Sequence, residues 1–478
     1  MEAEPKSVLF SFFFLISLCA GLRYQTLSPG TLPIPSKLNP DVSWTESETV
    51  TLPDSAQAET QTQSTLALSL RLEHIDALAS DLTAESLFKL RLDRDAIRVG
   101  SLLAKAAGVP FKQTPGEHFS SSIISGLAQG SGEYFTRLGI GTPPTFEYLV
   151  LDTGSDINWI QCKPCARCYN QTDRLFDPAK SHTYAAVPCR SAQCQKLDSS
   201  GCDRQKQRCL YQVSYGDGSF TVGVLSTETL TFRRTKIANV MIGCGHDNEG
   251  LFVGAAGLLG LGQGKLSFPA QAGAQFKQKF SYCLVDRSAS SKPSSLLFGE
   301  SAVSHRARYT PLAPNKKLDT FYYVNLLGIS VGGSPVRAIT PSLFKLDQIG
   351  NGGVIIDSGT SVTRLTMPAY TALRDEFKKK TKNLKLTDGF SLFDTCYDLR
   401  GKAEVKVPTV VLHFENKVDM SLPATNYLIP VDNEGTFCFA FAGTASGLSI
   451  IGNIQQQGFR VMFDLAKSMV GFYSGGCT

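Results

Sequence analysis

The chain has 478 residues, of which 42% are hydrophobic and 19% are charged. This length exceeds what one hydrophobic core fills, so two or more packing units are expected, and the composition excludes a disordered protein. The formal net charge of +5 is small for this size, and no basic face with interleaved aromatic residues is visible, which argues against nucleic acid as a partner.

The N-terminus carries an apolar run from Val8 to Ala20 that ends in small residues. This length suits a secretory signal peptide, predicted over residues 1–21, better than a membrane span. The chain has 13 cysteines, and twelve remain once Cys19 in the signal is discounted, a number suited to six disulfides in an oxidising compartment. Asn170 begins a glycosylation sequon. We therefore expect a secreted glycoprotein with no stable membrane insertion after signal removal.

Residues 22–130 read as a pro-segment and linker. Residues 22–65 are rich in Ser, Thr, Pro, Gln and Glu and predict a flexible leader, whereas the leucines from Leu66 to Leu72 alternate with other residues as in a half-buried strand. A helix is predicted over about residues 83–107, with Thr83 or Ser86 as its N-cap. A glycine- and serine-rich linker follows, in which we expect maturation to occur between about residues 115 and 132.

Three arginines on that helix recur at helical spacing: Arg91, Arg94 and Arg98. Two interpretations are open. They form either a solvated helix surface or a basic stripe that faces an acidic cleft.

The remainder of the chain predicts an all-β architecture, because glycines and prolines punctuate many short runs of Val, Ile, Thr, Phe and Tyr. Within it, "EYLVLDTGSD" drives Asp152 into the end of a buried strand, where an ionised carboxylate is costly unless it has a partner. "GGVIIDSGTS" repeats the pattern at Asp357. Each copy is followed by an apolar glycine strand, "GLLGLG" and "SIIGN", so the sequence predicts two duplicated lobes over residues 131–310 and 311–478.

A pseudo-two-fold axis between the lobes would place Asp152 opposite Asp357. Two carboxyls that share one site cannot easily both ionise, so the pair would hold a single proton in the acidic range. One member then takes a proton from a water molecule while the other donates to the carbonyl oxygen of the bond being cleaved. The neighbouring hydroxyl and glycine residues are predicted to support the two carboxyls: Thr153, Gly154, Ser155, Ser358, Gly359 and Thr360. The alternative, two unrelated surface turns, does not explain the duplication.

These motifs, together with "YGDGS" at residues 215–219, resemble the pepsin-like aspartic proteases. The resemblance covers about residue 132 to the C-terminus and implies a bilobal β fold with a deep cleft, in which Asp152 and Asp357 are the catalytic pair. It implies that Tyr215, Gly216 and Asp217 lie at the tip of a flap over the substrate, and that Trp159 hydrogen-bonds the flap tyrosine. The Asp-Gly pair also predicts a hairpin on local grounds.

A cysteine-rich insert at residues 162–209 resembles the nepenthesin-type branch of plants. "CKPCARC" could also form a zinc site, but disulfides are favoured in a secreted chain, and spacing alone fixes no connectivity. The resemblance implies six pairs: Cys162 with Cys165, Cys168 with Cys244, Cys189 with Cys209, Cys194 with Cys202, Cys283 with Cys477, and Cys396 with Cys438. The absence of room for a saposin-like insert favours the apoplast or cell wall over the vacuole.

The resemblance implies a zymogen, whose pro-segment strand joins the mature sheet while basic side chains cover the cleft until acidification. We therefore expect a secreted aspartic endopeptidase, monomeric and without cofactor or metal, that acts on peptides or proteins at acidic pH. The main alternative is a catalytically inactive binding or inhibitor protein on the same fold, and a further alternative is a structural cell-wall protein. The structural alternative lacks support, because the main domain has neither the tandem repeats nor the low-complexity sequence of such proteins.

Overall fold

The computed structural model describes residues 23–32, 68–78, 82–108, 134–215, 219–232, 235–250, 252, 254–285 and 294–477. The predicted signal peptide and the linker with its expected maturation region lie outside these ranges. The part of the chain that is described consists mostly of strands with few helices, which confirms the all-β prediction.

The N-terminal segment, residues 23–108, contributes two strands and the longest described helix: β1 (Tyr24–Leu27), β2 (Leu68–His74) and α1 (Ala84–Ala107). Thr83 caps α1, since its side chain accepts a hydrogen bond from the backbone amide of Ser86, and Gly108 ends it in the left-handed conformation. Of the two predicted caps, Thr83 is therefore correct. A flexible leader is wrong for residues 24–27, because β1 pairs with a strand of the C-terminal lobe.

The N-terminal lobe is built around strands of one large sheet. Its elements are β3 (Tyr134–Ile140), β4 (Thr145–Asp152), β5 (Trp159–Gln161), β6 (Ala185–Ala186), β7 (Ser200–Asp203), β8 (Arg208–Ser214), β9 (Phe220–Phe232), β10 (Thr235–Glu249), β11 (Gly257–Gly260), α2 (Phe268–Gln271), α3 (Gly273–Phe276), β12 (Lys279–Cys283) and β13 (Ser294–Phe298).

The C-terminal lobe divides into smaller sheets. Its elements are β14 (Arg308–Pro311), β15 (Tyr322–Val324), β16 (Leu326–Val331), β17 (Ser334–Pro335), β18 (Val354–Ile356), β19 (Thr363–Thr366), α4 (Met367–Lys380), β20 (Lys385–Thr387), β21 (Cys396–Asp398), β22 (Val405–Pro408), β23 (Val410–Phe414), β24 (Val418–Leu422), β25 (Leu428–Pro430), β26 (Thr436–Phe439), β27 (Phe441–Thr444), β28 (Ser449–Ile451), α5 (Asn453–Gln456), β29 (Phe459–Asp464) and β30 (Met469–Ser474).

One large sheet connects the two lobes and includes a strand of the N-terminal segment. Its order runs β14-β30-β29-β12-β13-β2-β3-β4 and continues into the N-terminal lobe. β2 pairs antiparallel with β13, with Leu72 opposite Ser294 and Leu68 opposite Phe298. Leu68, Leu70 and Leu72 are buried in the core, so the predicted strand is confirmed from Leu68 onwards, whereas Leu66 lies outside the described residues.

The internal repeat is visible in the strand pairing. In the N-terminal lobe, β4 runs parallel to β11, with Asp152 opposite Gly260. In the C-terminal lobe, β18 runs parallel to β28, and the amide of Asp357 donates to the carbonyl of Ile451. Each glycine strand therefore lies beside the strand that delivers an aspartate, and the same arrangement occurs in both predicted lobes.

Four of the six expected disulfide pairs are wrong and two are confirmed. The structure forms Cys162–Cys244, Cys165–Cys168, Cys189–Cys202, Cys194–Cys209, Cys283–Cys477 and Cys396–Cys438. Cys162 follows β5, which pairs parallel with β10, and this register brings it to Cys244, at a Cα–Cα distance of 5.4 Å. The hairpin β7–β8 places Cys202 and Cys209 opposite each other, and each bonds outward to a different cysteine of the insert.

Candidate active site

The loops after β4 and β18 meet at the contact between the lobes, and both aspartates are buried there. The amide of Gly154 donates to Asp152 Oδ1 at 2.8 Å, and the amide of Gly359 donates to Asp357 Oδ1 at 3.2 Å. A Cβ at Gly154 would lie 3.2 Å from Asp357 Oδ1 and 3.3 Å from Asp152 Oδ1. Glycine therefore lets each backbone approach its carboxylate closely, as expected from the sequence.

Hydroxyl groups tie the two loops together. Thr153 Oγ1 accepts a hydrogen bond from the Ser358 amide at 2.8 Å and lies 3.2 Å from Asp357 Oδ1. Thr360 Oγ1 donates to Asp357 Oδ2 at 2.5 Å. The Ser155 hydroxyl lies beside Asp152 and lowers its pKa, but it makes no well-aligned hydrogen bond. The predicted supporting residues are thus brought together, with the contact of Ser155 weaker than that of Thr360.

The guanidinium of Arg98, from helix α1, lies between the two carboxylates. Its Nη2 is 2.5 Å from Asp152 Oδ1 and 2.9 Å from both carboxylate oxygens of Asp357, while Nε and Nη1 add bonds at 3.0 and 3.2 Å. A Cβ at Gly359 would lie 2.4 Å from Arg98 Cζ, so the guanidinium fills the space above that loop. One nitrogen atom therefore reaches both aspartates at once.

Electrostatics follow from this geometry. Burial alone would raise the pKa of Asp152, but the charge and hydrogen bonds of Arg98 outweigh it and hold that pKa below its usual value. Burial would lower the pKa of Arg98, yet the two carboxylates raise it further, so the guanidinium stays charged. The group is a buried charge triad whose members depend on one another.

The other two arginines of the predicted stripe do not reach the cleft. Arg91 and Arg94 are buried and both form ion pairs with Asp76, which belongs to the N-terminal segment itself. The solvated-surface interpretation is therefore wrong for all three side chains. The cleft-facing interpretation is correct for Arg98 alone.

A second contact between α1 and the C-terminal lobe was missed from the sequence. Asp95 Oδ1 accepts hydrogen bonds from the amides of Ser361 and Val362, at 2.5 and 3.2 Å, and Asp95 Oδ2 lies 2.6 Å from Arg364 Nη2. The available signal was an aspartate three residues before Arg98, and so on the same helix face. Arg364 carried no signal, because it continues the apolar strand that follows "DSGTS".

The predicted flap is partly described. Trp159 Nε1 donates a hydrogen bond to Tyr215 Oη at 2.9 Å, as expected, and Trp159 is fully buried. The Tyr215 amide donates to the Ser219 carbonyl, which closes the hairpin between β8 and β9. Gly216 and Asp217 lie outside the described residues.

Other predicted sites are placed as follows. Asn170 is exposed on the cysteine-rich insert, and all twelve predicted disulfide cysteines are paired. In the described ranges, no group of three or more His, Cys, Asp or Glu side chains has the arrangement of a metal site. None of the helices in the described part of the chain is long and apolar enough to cross a membrane.

The chain is similar to known families and to named relatives. Residues 134–300 and 321–474 match family models described as xylanase inhibitor N-terminal and xylanase inhibitor C-terminal. The Arabidopsis thaliana protein named aspartyl protease family protein 2 is 62% identical over the full length of both chains. Aspartic proteinase nepenthesin-1 of Nepenthes gracilis is 39% identical over 85% of this chain and 90% of its own.

The fold also has solved counterparts. The crystal structure of conglutin gamma, a basic 7S globulin from lupine seeds, matches with a TM-score of 0.57 over 71% of this chain and 91% of its own, at 22% identity. At that identity the match shows the fold alone. The family models and the relatives show the family, and the paired aspartate loops and the two-lobed sheet fit it. The chain belongs to the nepenthesin-type branch of the pepsin-like aspartic protease family.

Proposed function

We propose that this protein is a secreted aspartic endopeptidase, made as a zymogen, that hydrolyses peptide bonds at acidic pH. The single observation that carries the proposal is that Arg98 Nη2 contacts both Asp152 and Asp357 at 2.5–2.9 Å. A water molecule at that point would have hydrogen-bond access to both carboxyls, which is the distance range that general acid–base catalysis requires.

The chemistry needs no covalent intermediate. With Arg98 withdrawn, two buried carboxyls share one site, so one binds a proton and the other stays ionised. The ionised carboxylate takes a proton from the water as it attacks the peptide carbonyl. The protonated carboxyl donates to the carbonyl oxygen, which gives a tetrahedral diol intermediate. The carboxyl that took the water proton then gives it to the leaving nitrogen as the C–N bond breaks, while the other carboxylate takes a proton back from a hydroxyl of the diol, so that a carboxylic acid and an amine are released.

The same contact supports the zymogen proposal. With Arg98 in place, neither a water molecule nor a substrate carbonyl fits between Asp152 and Asp357. Helix α1 also covers an apolar surface of the C-terminal lobe, where Val99, Leu102 and Ala106 pack in one cluster with Phe321 and Tyr323. Substrate could enter only after α1 leaves.

The test compares cleavage of a denatured protein substrate from pH 3 to 7 by the wild type, Asp152→Asn and Asp357→Asn, each expressed through a secretory pathway. Asp375→Asn, an exposed carboxylate on α4, is the matched control. We expect acid-dependent cleavage by the wild type and the control, abolished by a statine-type inhibitor, and a loss of at least about 1,000-fold in either dyad variant. An inert wild type after removal of residues 22–133 would contradict the proposal.

A second candidate is a catalytically inactive binding or inhibitor protein. The descriptions of the two matching family models name a xylanase inhibitor, and this favours the binding or inhibitor candidate. Against it, both aspartates, Thr153, Thr360 and the Trp159–Tyr215 hydrogen bond are intact. Dose-dependent inhibition of a xylanase by a protein that cleaves no peptide would support it.

A further inference from the structure

Three hydrogen-bond donors of the C-terminal lobe converge on one carboxylate. The amides of Ser361 and Val362 both donate to Asp95 Oδ1, and Arg364 Nη2 lies 2.6 Å from Asp95 Oδ2. Ser361, Val362 and Arg364 are buried against α1, and Asp95, which belongs to α1, is buried as well. A guanidinium and two amides together bind a carboxylate better than they bind a neutral group. The reason is that charge-assisted bonds to its two oxygens are both stronger and more directional.

The internal repeat gives Arg364 a counterpart in the N-terminal lobe. Arg364 lies seven residues after Asp357, and Trp159 lies seven residues after Asp152. Trp159 pairs with Leu258, two residues before Gly260, and Arg364 pairs with Ile450, two residues before Gly452. Arg364 is thus the C-terminal counterpart of Trp159, whose indole supports the flap tyrosine on the other side of the aspartates.

Release of α1 would leave these donors without Asp95. Among the described residues, Asp95 is the only acidic side chain within ion-pair distance of Arg364. The guanidinium of Arg364 and the two amides would then face the open cleft with their bonds to a carboxylate unmade, and charge-assisted bonds of this kind are stronger than those to a neutral group. A second carboxylate that enters the cleft would therefore bind where Asp95 had been.

We propose that Ser361, Val362 and Arg364 form a carboxylate-binding subsite of the open cleft, which selects substrates with an acidic group near the scissile bond. The proposal rests on the function proposed above. Asp95 and Arg98 are three residues apart on α1, about 4.5 Å along the helix axis. An extended peptide advances about 3.3 Å per residue, so the acidic group would lie about one to three residues from the scissile bond. The carboxylate could be an Asp or Glu side chain or the C-terminus of a peptide.

The experiment uses the full chain with a site-specific protease sequence inserted in the linker, cleaved and then freed of its N-terminal segment. One series of end-blocked peptides carries Asp or Asn at each of three positions on either side of the scissile bond. A second series carries a free or an amidated C-terminus. Wild type, Arg364→Gln, Arg364→Lys and Arg337→Gln, an exposed arginine of the same lobe, are compared by kcat/KM at pH 5.

We expect about a tenfold preference for Asp over Asn at one position in the wild type and in Arg337→Gln, reduced to near unity in Arg364→Gln and intermediate in Arg364→Lys. The preference should fade as the pH drops below about 4, where a free Asp side chain becomes protonated. A preference confined to the free C-terminus would assign the site to terminal carboxylates. No preference in either series, or a preference that Arg364→Gln leaves unchanged, overturns the proposal.

Binding separates this inference from the proposed function. The same peptides, labelled with a fluorophore, are titrated into the Asp152→Asn protein prepared in the same way, and affinity is measured by anisotropy. Tighter binding of the acidic peptide that depends on Arg364 would support the subsite even if no peptide is cleaved. Equal affinity for the Asp and Asn peptides would overturn it even in an active protease.

Discussion

Arg98 is the residue on which the closed state depends most directly, because its guanidinium is the only contact in the described structure that joins both aspartates to α1. Removing one partner of a buried ion pair costs about 3–5 kcal/mol. Arg98→Gln should therefore weaken the docking of α1, and the full chain should cleave a quenched peptide at pH 5 without prior acidification, at least about 100-fold faster than the wild type.

The control for this prediction is Arg71→Gln, an arginine on β2 that pairs with Glu73 near the surface. It removes the same charge from the same segment without touching Asp152 or Asp357. If Arg98→Gln remained as latent as Arg71→Gln, the guanidinium would not be what holds the segment over the aspartates.

Trp159 and Tyr215 form a pair whose hydrogen bond can be tested separately from their packing. A neutral hydrogen bond contributes about 1 kcal/mol, so Tyr215→Phe should lower kcat/KM by about fivefold or more. Trp159→Phe removes the donor of the same bond and also some packing. In a double-mutant cycle the two effects should therefore not add.

The kcat/KM values of the double-mutant cycle are measured on protein freed of its N-terminal segment. The melting temperature of each variant is recorded as well. Equal melting temperatures would show that reduced kcat/KM reflects the flap and not unfolding. Strict additivity of the two substitutions would mean that the 2.9 Å contact does not support the flap during catalysis.

At the level of elements, the sequence predicts those strands and loops whose residues form a repeat or a periodic pattern. The duplicated strand-Asp-Gly pattern located both aspartates, and leucine alternation located β2. The segment β1 was missed because its four residues, "YQTL", have no clear alternation and are held by a distant partner, β22. The role of Asp95 was missed because an aspartate inside a helix does not show which group will bind it, and here the amide of Ser361, 266 residues later, does so.

The cysteine-rich insert shows a second limit, since its connectivity depends on register between β5 and β10 and not on spacing. The Cys162–Cys244 bond closes a loop with a sequence separation of 82, whereas Cys165–Cys168 closes one of 3. By loop-closure entropy, Cys162→Ser with Cys244→Ser should lower the free energy of unfolding by about 4 kcal/mol. In the Cys165→Ser, Cys168→Ser protein the free energy of unfolding should fall by clearly less.

Denaturant unfolding of both double variants measures this difference, and mass mapping of the unreduced wild type identifies the bonds directly. A peptide that links Cys162 to Cys165 would contradict the structure and restore the pairing expected from the family resemblance.

The junction between β2 and α1 contains a pH-dependent contact. Burial would raise the pKa of Asp76, but Arg91, His74 and Arg94 lower it from 3.8 to about 2. A depressed pKa means that the carboxylate stabilises the docked segment fully above about pH 4 and that this contribution, about 2 kcal/mol, is lost as the pH falls towards 2. Asp76→Asn lacks the contribution at every pH, so the pH at which half of the full chain becomes active should rise.

Asp93→Asn is the matched control, because Asp93 is an exposed carboxylate on the same helix. Samples are held at a series of pH values, returned to one assay pH and tested for peptide cleavage. An activation midpoint in Asp76→Asn that equals those of the wild type and of Asp93→Asn would show that this ion-pair cluster does not contribute to the pH dependence.

At the scale of the whole molecule, the N-terminal segment contacts both lobes of the fold. β1 pairs with β22 in the C-terminal lobe, and β2 lies between β13 and β3 in the sheet that joins the lobes. Helix α1 covers two apolar clusters of the C-terminal lobe, on either side of Arg98. The segment is therefore a structural part of the closed protein as well as a cover for the cleft.

This architecture predicts that the segment assists folding and not only latency. A chain synthesised without residues 22–133 would expose the edge of β13 and the apolar residues that pack against α1, such as Phe321 and Ile450. Exposed edges and apolar patches favour aggregation. We expect at least about tenfold less soluble secreted protein from this deletion than from the full chain, since it must fold without the surface that α1 and β2 supply. Deletion after folding, by cleavage within the linker, should leave the protein soluble, and equal yields by both routes would contradict a role in folding.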